Sequence, residues 1–206
     1  MKNKGIKNLI LDFGGVLIDL DCQRCVEHFK ELGLPDVEVA LDLYHQQDFF
    51  QKYEKGLITS ADFRDIIRGK IGKPVTDARI DEAWNSFLVG IPDYKLELLL
   101  ELRKNYVVYL LSNTNEIHWQ WSCRHAFPYK TFRVEDYFEH IYLSYEMNMA
   151  KPDAGIFQKV LDDTGISPRE TLFIDDSEAN CRTAEMLGIS TYTPKAHEDW
   201  SHAVSF

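Results

Sequence analysis

Four groups of polar residues lie beside the ends of short apolar runs in this sequence, in an arrangement that could bind a cation or an anion. They are Asp12, the pair Ser112 and Asn113, Lys151, and the pair Asp175 and Asp176. Adjacent carboxylates repel one another, and a bound cation relieves that repulsion. Each group alone is typical of a turn, a helix cap or a solvated surface. Their occurrence together, beside strand ends, is much more specific.

The elements that must position these residues alternate along the chain. Short aliphatic runs predict strands at Ile6–Leu11, Tyr106–Leu111, His140–Leu143, Thr171–Ile174 and Ile189–Tyr192. Between them, apolar residues at helical spacing predict three helices. The first begins near Pro92, the second begins after Asp153 and ends at Gly165, and the third spans Ser177–Leu187. This alternation predicts an α/β fold: a parallel, Rossmann-like sheet with helices on both faces.

Ligands of such open sheets bind outside the carboxyl ends of the strands. Asp12, Ser112 and Asp175 each follow a predicted strand, so we expect them at that one edge. Lys151 precedes Pro152, which favours an extended backbone at the lysine and helps to set its direction.

Residues 20–90 interrupt the alternation, because they contain no convincing strand. Amphipathic patterns instead predict helices over Cys22–Leu32, Asp36–Tyr53, Ser60–Ile71 and Asp77–Leu88. We therefore expect a Rossmann-like catalytic core formed by residues 1–19 and 91–206, and an inserted all-helical cap formed by residues 20–90. The aromatic residues Tyr44, Phe49, Phe50 and Tyr53 recur at helical spacing and are interpreted as the core of this cap.

Composition excludes several classes of function. The chain has 206 residues and a net charge of -10, and an acidic surface disfavours nucleic acids and anionic membranes. No apolar run approaches the length of about 20 residues that spans a bilayer. The four cysteines are too few for a disulfide scaffold, and Cys22 with Cys25 reads as a plain helical pair. We expect a cytoplasmic protein, a monomer or weak homodimer, whose partner is a small molecule.

Four segments resemble the haloacid dehalogenase superfamily of phosphohydrolases. They are LILDFGGVLIDLD, VVYLLSNTN, IYLSYEMNMAKPDAGIFQKVL and TLFIDDSEANCRTAEMLGI. Together they cover nearly all of the chain outside residues 20–90. The resemblance implies a Rossmann-like core with a helical cap inserted after the first strand. The most similar subgroup includes bacterial sugar-phosphate phosphatases and the N-terminal phosphatase domain of soluble epoxide hydrolase.

The resemblance also implies roles for the polar residues. Asp12 matches the nucleophile that forms an aspartyl-phosphate, and Ser112, with Asn113 beside it, matches the group that binds the phosphoryl oxygens. Lys151 matches the lysine that neutralises both. The implied Mg²⁺ ligands are Asp12, the backbone carbonyl of Gly14, Asp175 and Asp176, with Asn180 as a supporting residue.

One position departs from the family pattern. The family usually has a second aspartate two residues after the nucleophile, which protonates the leaving oxygen and later activates water. Here that residue is Gly14, and general acid–base groups contribute about 10²–10⁴-fold to such reactions. Asp19 and Asp21 are the candidates for a replacement, although the simpler interpretation is that both are ordinary surface acids.

These observations leave three functions open. The first is a Mg²⁺-dependent phosphatase that hydrolyses a small phosphomonoester such as a sugar phosphate, with the cap selecting the substrate. The second is a metal-independent dehalogenase-type hydrolase, which needs no acid because a halide leaves unprotonated; the pair Asp175 and Asp176 counts against it. The third is a module that binds phosphate esters without turnover, because Gly14 replaces the acid.

Overall fold

A computed structural model describes residues 5–34, 37 and 49–204 of the chain. Its centre is a five-stranded sheet in the order β5-β4-β1-β6-β7, and every neighbouring pair is parallel. The strands are β1 (Asn8–Leu11), β4 (Val107–Ser112), β5 (His140–Leu143), β6 (Thr171–Ile174) and β7 (Ser190–Tyr192). The predicted parallel α/β fold is confirmed, and the observed strands differ from the predicted ones by at most two residues at either end.

The register of the sheet aligns the strand ends that carry the polar groups. Leu11, the last residue of β1, lies opposite Leu110 of β4 and Ile174 of β6. Asp12 and Asp175 come directly after Leu11 and Ile174, so both leave the sheet at the same level and at the same edge.

Alternation along the strands fills two cores, one on each face of the sheet. Leu9 and Leu11 belong to one buried cluster, and Ile10 between them belongs to another. The helices over the described residues are α1 (Cys22–Leu32), α2 (Phe49–Glu54), α3 (Ser60–Ile71), α4 (Asp77–Asn85), α5 (Asp93–Leu102), α6 (Glu116–His125), α7 (Val134–Tyr137), α8 (Ser144–Met147), α9 (Ala154–Thr164) and α10 (Glu178–Met186). Helices α5 and α7 pack on the first face, and α9 and α10 pack on the second. None of the helices described is long and apolar enough to cross a bilayer.

The expectation that residues 20–90 contain no strand is wrong. A second, two-stranded antiparallel sheet pairs β2 (Asp19–Leu20) with β3 (Leu88–Gly90), at the two ends of the helical segment. Strands of two and three residues are too short to produce a readable alternation of apolar and polar positions. The chain therefore enters and leaves the helical segment through one narrow ribbon.

The helices between β2 and β3 have a hydrophobic cluster of their own. Phe50 and Tyr53 are buried in it beside Phe29, Phe63 and Trp84. Phe49 packs against this cluster while partly exposed. Of the predicted helix Asp36–Tyr53, only Val37 and the residues of α2 up to Tyr53 lie within the described part of the chain; Tyr44 lies outside it.

Helix α2 and the turn after it are fastened to the core by polar contacts. The Tyr53 hydroxyl lies 2.7 Å from Ser60 Oγ and accepts a hydrogen bond of 3.3 Å from the Ile117 amide at the start of α6. Ser144 Oγ donates to the Glu54 carbonyl at 2.6 Å, and Asn148 Nδ2 donates to the Lys55 carbonyl at 3.1 Å. The turn at residues 54–56 is thus held against helix α8 of the core.

Gly56 is required by this close approach. It has a φ of +63°, and a Cβ there would lie 2.0 Å from the Tyr145 carbonyl oxygen. Gly72, which ends α3, has a similar φ of +70° but nothing within 4 Å of a Cβ.

We therefore expect Gly56→Ala to destabilise the protein more than Gly72→Ala does. A left-handed backbone conformation costs a non-glycine residue about 1–2 kcal/mol, and both variants bear that cost. Only Gly56→Ala must also displace a core carbonyl. Chemical denaturation of the two variants measures the difference, and equal losses of unfolding free energy would show that the turn is not pressed against α8.

Candidate active site

The ammonium group of Lys151 lies at the centre of the polar edge. Its Nζ donates to Asp12 Oδ1 at 2.6 Å, to Asp175 Oδ2 at 2.6 Å and to the Leu111 carbonyl at 2.8 Å. All three donor positions of the ammonium are occupied, and the side chain is only 1% exposed. The lysine therefore joins the ends of β1, β4 and β6 through one buried charge.

Asn113 positions this lysine through its backbone. The Asn113 side chain accepts from the Lys151 amide at 2.9 Å and donates to the Lys151 carbonyl at 2.8 Å. The Asn113 side-chain amide bonds to both the N–H and the C=O of one backbone residue, as a hydrogen-bonded residue of a neighbouring antiparallel strand does. Asn113 thus fixes the direction of Lys151, whereas the neighbouring Ser112 directs its hydroxyl to the Asn113 carbonyl at 3.4 Å.

Asp175 and Asp176 have different environments although they are adjacent. Asp175 is fully buried, and Oδ1 accepts from the Ser177 amide at 2.8 Å. Asn180 Nδ2 donates to both carboxylate oxygens of Asp175, at 2.9 and 3.0 Å. Asp176 is exposed at the edge. The carboxylate of Asp175 is held mainly by the protein, and that of Asp176 is free to meet a ligand.

The three carboxylates form a site that fits a hard divalent cation. Asp12, Asp175 and Asp176 each offer an oxygen atom, and these atoms all lie within 4.8 Å of one another. Oxygen ligands suit Mg²⁺. A Cβ on Gly15, which has a φ of +71°, would lie 2.2 Å from Asp176 Oδ2, so glycine leaves the room that this carboxylate occupies.

Burial and charge shift the ionisation of these groups. Burial raises the pKa of Asp12, the Asp175 carboxylate raises it further, and the Lys151 ammonium opposes both. Partial desolvation and the charge of the adjacent Asp175 carboxylate raise the pKa of Asp176, which still reaches solvent. Burial disfavours the charged form of Lys151, but attraction to Asp12 and Asp175 outweighs it and leaves the pKa of the ammonium raised. A cation at this edge would favour the ionised carboxylates.

A pocket of about 90 Å³ opens beside this edge, beneath the helical segment. Its lining combines an apolar wall with a few polar groups: Phe13, Gly14, Ile18, Leu20, Trp84, Phe87 and Leu88, with Glu54, Ser112, Asn113, Thr114 and His118. The sequence patterns did not identify Glu54 or Thr114 as site residues, and they gave His118 no role. Glu54 lies in a helical stretch without a motif, and only the fold brings it to the strand ends.

The two acids suggested as replacements at Gly14 have other contacts. Asp21 accepts from the Arg24 amide at 2.9 Å and caps α1. Asp19 Oδ1 lies 3.6 Å from the Lys95 ammonium and 3.7 Å from His197 Nδ1. Neither residue lines the pocket, whereas Gly14 does.

Fold and site together define the class of protein: a Rossmann-like α/β enzyme with an aspartate, a lysine and a carboxylate cluster at the carboxyl edge of a parallel sheet. The chain belongs to the haloacid dehalogenase-like hydrolase family, whose profile matches residues 6–188. The resemblance seen in the sequence motifs is thereby confirmed.

Relatives of known structure or activity match nearly the whole length of the chain. A D-ribitol-5-phosphate phosphatase from Bacteroides thetaiotaomicron is 38% identical over 195 residues, which are 95% of each chain. A haloacid dehalogenase-family enzyme from the same organism was solved as an Asp-to-Ala variant in complex with magnesium and inorganic phosphate. It is 62% identical, with a TM-score of 0.96 over 98% of this chain and 100% of its own. A predicted hydrolase of this family from Porphyromonas gingivalis is 35% identical, with a TM-score of 0.89 over 97% and 96% of the two chains.

Removing the lysine charge tests the buried network. We expect Lys151→Met to lower the unfolding free energy by about 3–5 kcal/mol at pH 8 without Mg²⁺, because two buried carboxylates lose their counter-charge. Added Mg²⁺ should restore stability to this variant more than to the wild type. Lys159→Met is the matched control, since its exposed ion pair with Asp163 contributes at most about 1 kcal/mol. Equal stability of the Lys151 and Lys159 variants would contradict the network.

The unequal environments of the two adjacent acids predict unequal effects on metal binding. In titration calorimetry, Asp176→Asn should lose measurable Mg²⁺ binding while unfolding like the wild type. Asp175→Asn should weaken Mg²⁺ binding less but lower thermal stability, because it breaks the buried pair with Lys151. Undiminished Mg²⁺ affinity in Asp176→Asn would show that this carboxylate is not a ligand.

Proposed function

We propose that this chain is a Mg²⁺-dependent phosphatase that hydrolyses a small polyol or sugar phosphate through an aspartyl-phosphate on Asp12. The observation that carries the proposal is the Lys151 ammonium, fixed 2.6 Å from Asp12 beside a free carboxylate at Asp176. A phosphate monoester and an aspartate are both anions, so their approach requires positive charge that is already in place.

Asp12 is the nucleophile. One carboxylate oxygen attacks phosphorus, and the alcohol leaves on the opposite side; water then attacks the same phosphorus and regenerates the carboxylate. Lys151 holds Asp12 in one orientation and neutralises charge on the phosphoryl oxygens. Ser112, which lines the pocket next to Asn113, donates its hydroxyl to the phosphoryl group.

The metal would be held by Asp12, the backbone carbonyl of Gly14, Asp175 and Asp176. When bound, Mg²⁺ supplies further positive charge that stabilises the transferring phosphoryl group. The oxygen atoms of the three acids, within 4.8 Å of one another, support this ligand set.

Two observations support a small polyol or sugar phosphate as substrate. The relative from B. thetaiotaomicron that is 38% identical is a D-ribitol-5-phosphate phosphatase. The pocket beside Asp12 has polar groups in its lining, Ser112, Asn113 and Thr114, that can bind a phosphoryl group or a hydroxyl group. We also propose that residues 20–90 act as a substrate-selecting cap on a core of residues 1–19 and 91–206. Four free cysteines support a reducing compartment, and we propose a cytoplasmic location for the protein.

No specific observation favours the two other functions. A dehalogenase-type mechanism uses no metal, so it leaves the carboxylate cluster of Asp12, Asp175 and Asp176 without a purpose. The only reason to consider a binding module without turnover is that Gly14 replaces the usual acid.

The test is phosphate release from a panel of polyol and sugar phosphates that includes D-ribitol 5-phosphate, with Mg²⁺ and with chelator. We expect Mg²⁺-dependent turnover that Asp12→Asn reduces to background, because an amide is not a competent nucleophile. Asp162→Asn, an exposed change on α9, should behave like the wild type. Turnover by Asp12→Asn within about tenfold of wild type, or activity unaffected by chelator, would refute the mechanism.

A further inference from the structure

An alcohol is a poor leaving group unless its oxygen is protonated as the bond to phosphorus breaks. Gly14 has no side chain that can deliver this proton, and the Lys151 ammonium already donates to three acceptors. The proton donor must therefore be another group that reaches the pocket.

Glu54 is the carboxyl group that the fold brings into this pocket. It lines the cavity together with Gly14, Ser112 and Asn113, although it comes from the helical segment. A Cβ added to Gly14 would lie 3.2 Å from Leu20 Cδ1, and Leu20 lines the same cavity. Position 14 and Glu54 thus border the same cavity.

The backbone of Glu54 is held by the core. Ser144 Oγ donates to the Glu54 carbonyl at 2.6 Å, and the same hydroxyl accepts from the Thr114 amide at 2.9 Å. Thr114 is two residues beyond Ser112, so one serine links the Glu54 backbone to the phosphate-facing end of β4. Tyr53, the preceding residue, is buried and bonded to Ser60 and Ile117. The hydrogen bonds between the helical segment and the core therefore fix the position of the Glu54 backbone.

The environment of the Glu54 carboxyl suits proton transfer near neutral pH. Burial raises its pKa to about 7, and only the attraction of the Lys151 ammonium opposes this. No hydrogen bond from the described residues holds its carboxylate, in contrast to Asp175. A carboxyl with a pKa near the working pH can donate a proton in one step and accept one in the next.

The other titratable groups near the pocket are less suited to the role. His118 Nε2 lies 3.0 Å from the Trp84 carbonyl oxygen and Nδ1 lies 3.3 Å from the Asn115 amide nitrogen. Burial lowers the pKa of His118 to about 4, so at pH 7 it is a neutral imidazole and not the imidazolium that a general acid requires. Asp19 and Asp21 lie outside the pocket lining.

We propose that Glu54 is the general acid and general base of this enzyme, supplied by the helical segment in place of a side chain at position 14. The proposal rests on the phosphatase function proposed above. In the first step the bond between Asp12 and phosphorus forms, the ester bond breaks, and the proton of Glu54 passes to the leaving oxygen to give a neutral alcohol. In the second step the Glu54 carboxylate takes a proton from water as the water oxygen attacks phosphorus. The aspartyl bond breaks, phosphate leaves, and Glu54 is again protonated.

The test compares leaving groups in Glu54→Gln, which keeps the shape of the side chain. For the alkyl phosphate that wild type hydrolyses best, with D-ribitol 5-phosphate tried first, we expect kcat/KM to fall by about 10²–10⁴-fold. For 4-nitrophenyl phosphate, whose phenolate leaves without a proton, kcat/KM should fall by less than about tenfold. The second step still lacks its base, so nitrophenolate should appear in a rapid burst followed by a slow steady state.

Glu82→Gln is the matched control, because Glu82 is an exposed residue of α4 that does not line this pocket. It should leave both substrates unaffected. Glu54→Gln should also unfold at or above the wild-type temperature at pH 8, where the wild type must keep a desolvated carboxylate ionised. That measurement separates a chemical effect from a folding defect.

The proposal is overturned if a folded Glu54→Gln loses both substrates equally, which indicates a positioning role, or loses neither. In wild type, kcat/KM for the alkyl phosphate should fall as the pH rises through the pKa of the acid, and this limb should disappear in Glu54→Gln. If the fall of kcat/KM with rising pH persists in Glu54→Gln, another group is the proton donor. Absence of phosphate release from every substrate by wild type would instead refute the phosphatase function itself.

Discussion

The ammonium group of Lys151 lies between the carboxylates of Asp12 and Asp175, and the order of the whole polar edge depends on that contact. Each partner is itself buried, so each needs the other to offset the cost of leaving water. A buried ion pair contributes little net stability by comparison with apolar packing. Its value here lies in orientation, because it fixes Asp12, the proposed nucleophile, and a positive charge in place before any substrate arrives.

The residues around this pair serve to keep its geometry. Asn113 binds both the backbone amide and the backbone carbonyl of Lys151, and Asn180 with the Ser177 amide holds the Asp175 carboxylate in place. Asp176 alone among the clustered acids stays open at the surface. Asp175 orients the lysine while Asp176 faces solvent, so this edge can take up a cation without losing its own structure.

Much of this site could be predicted from the sequence because each aliphatic run that predicts a strand ends at a polar residue. Aliphatic runs closed by Asp12, Ser112 and Asp175 place three polar groups at one sheet edge, whatever the details of the helices. The burial of Lys151 could not be predicted, since a lysine before proline is ordinarily solvated and only the three-dimensional position of two carboxylates explains it. The β2–β3 ribbon was missed because its strands have no periodicity. Glu54 was missed because its place in the pocket arises from contacts of Tyr53, Ser144 and Asn148 that no local pattern records.

The stereochemical course at phosphorus tests the central claim, attack by Asp12 on the phosphoryl group, most directly. Two successive in-line displacements, first by Asp12 and then by water, each invert the phosphoryl group and together retain its configuration. A phosphorothioate substrate, made chiral at phosphorus with sulfur and one heavy oxygen isotope, should therefore yield thiophosphate of retained configuration after hydrolysis in water labelled with a second heavy oxygen isotope. Inversion would mean that water attacks the substrate in a single step, and it would contradict the role assigned to Asp12.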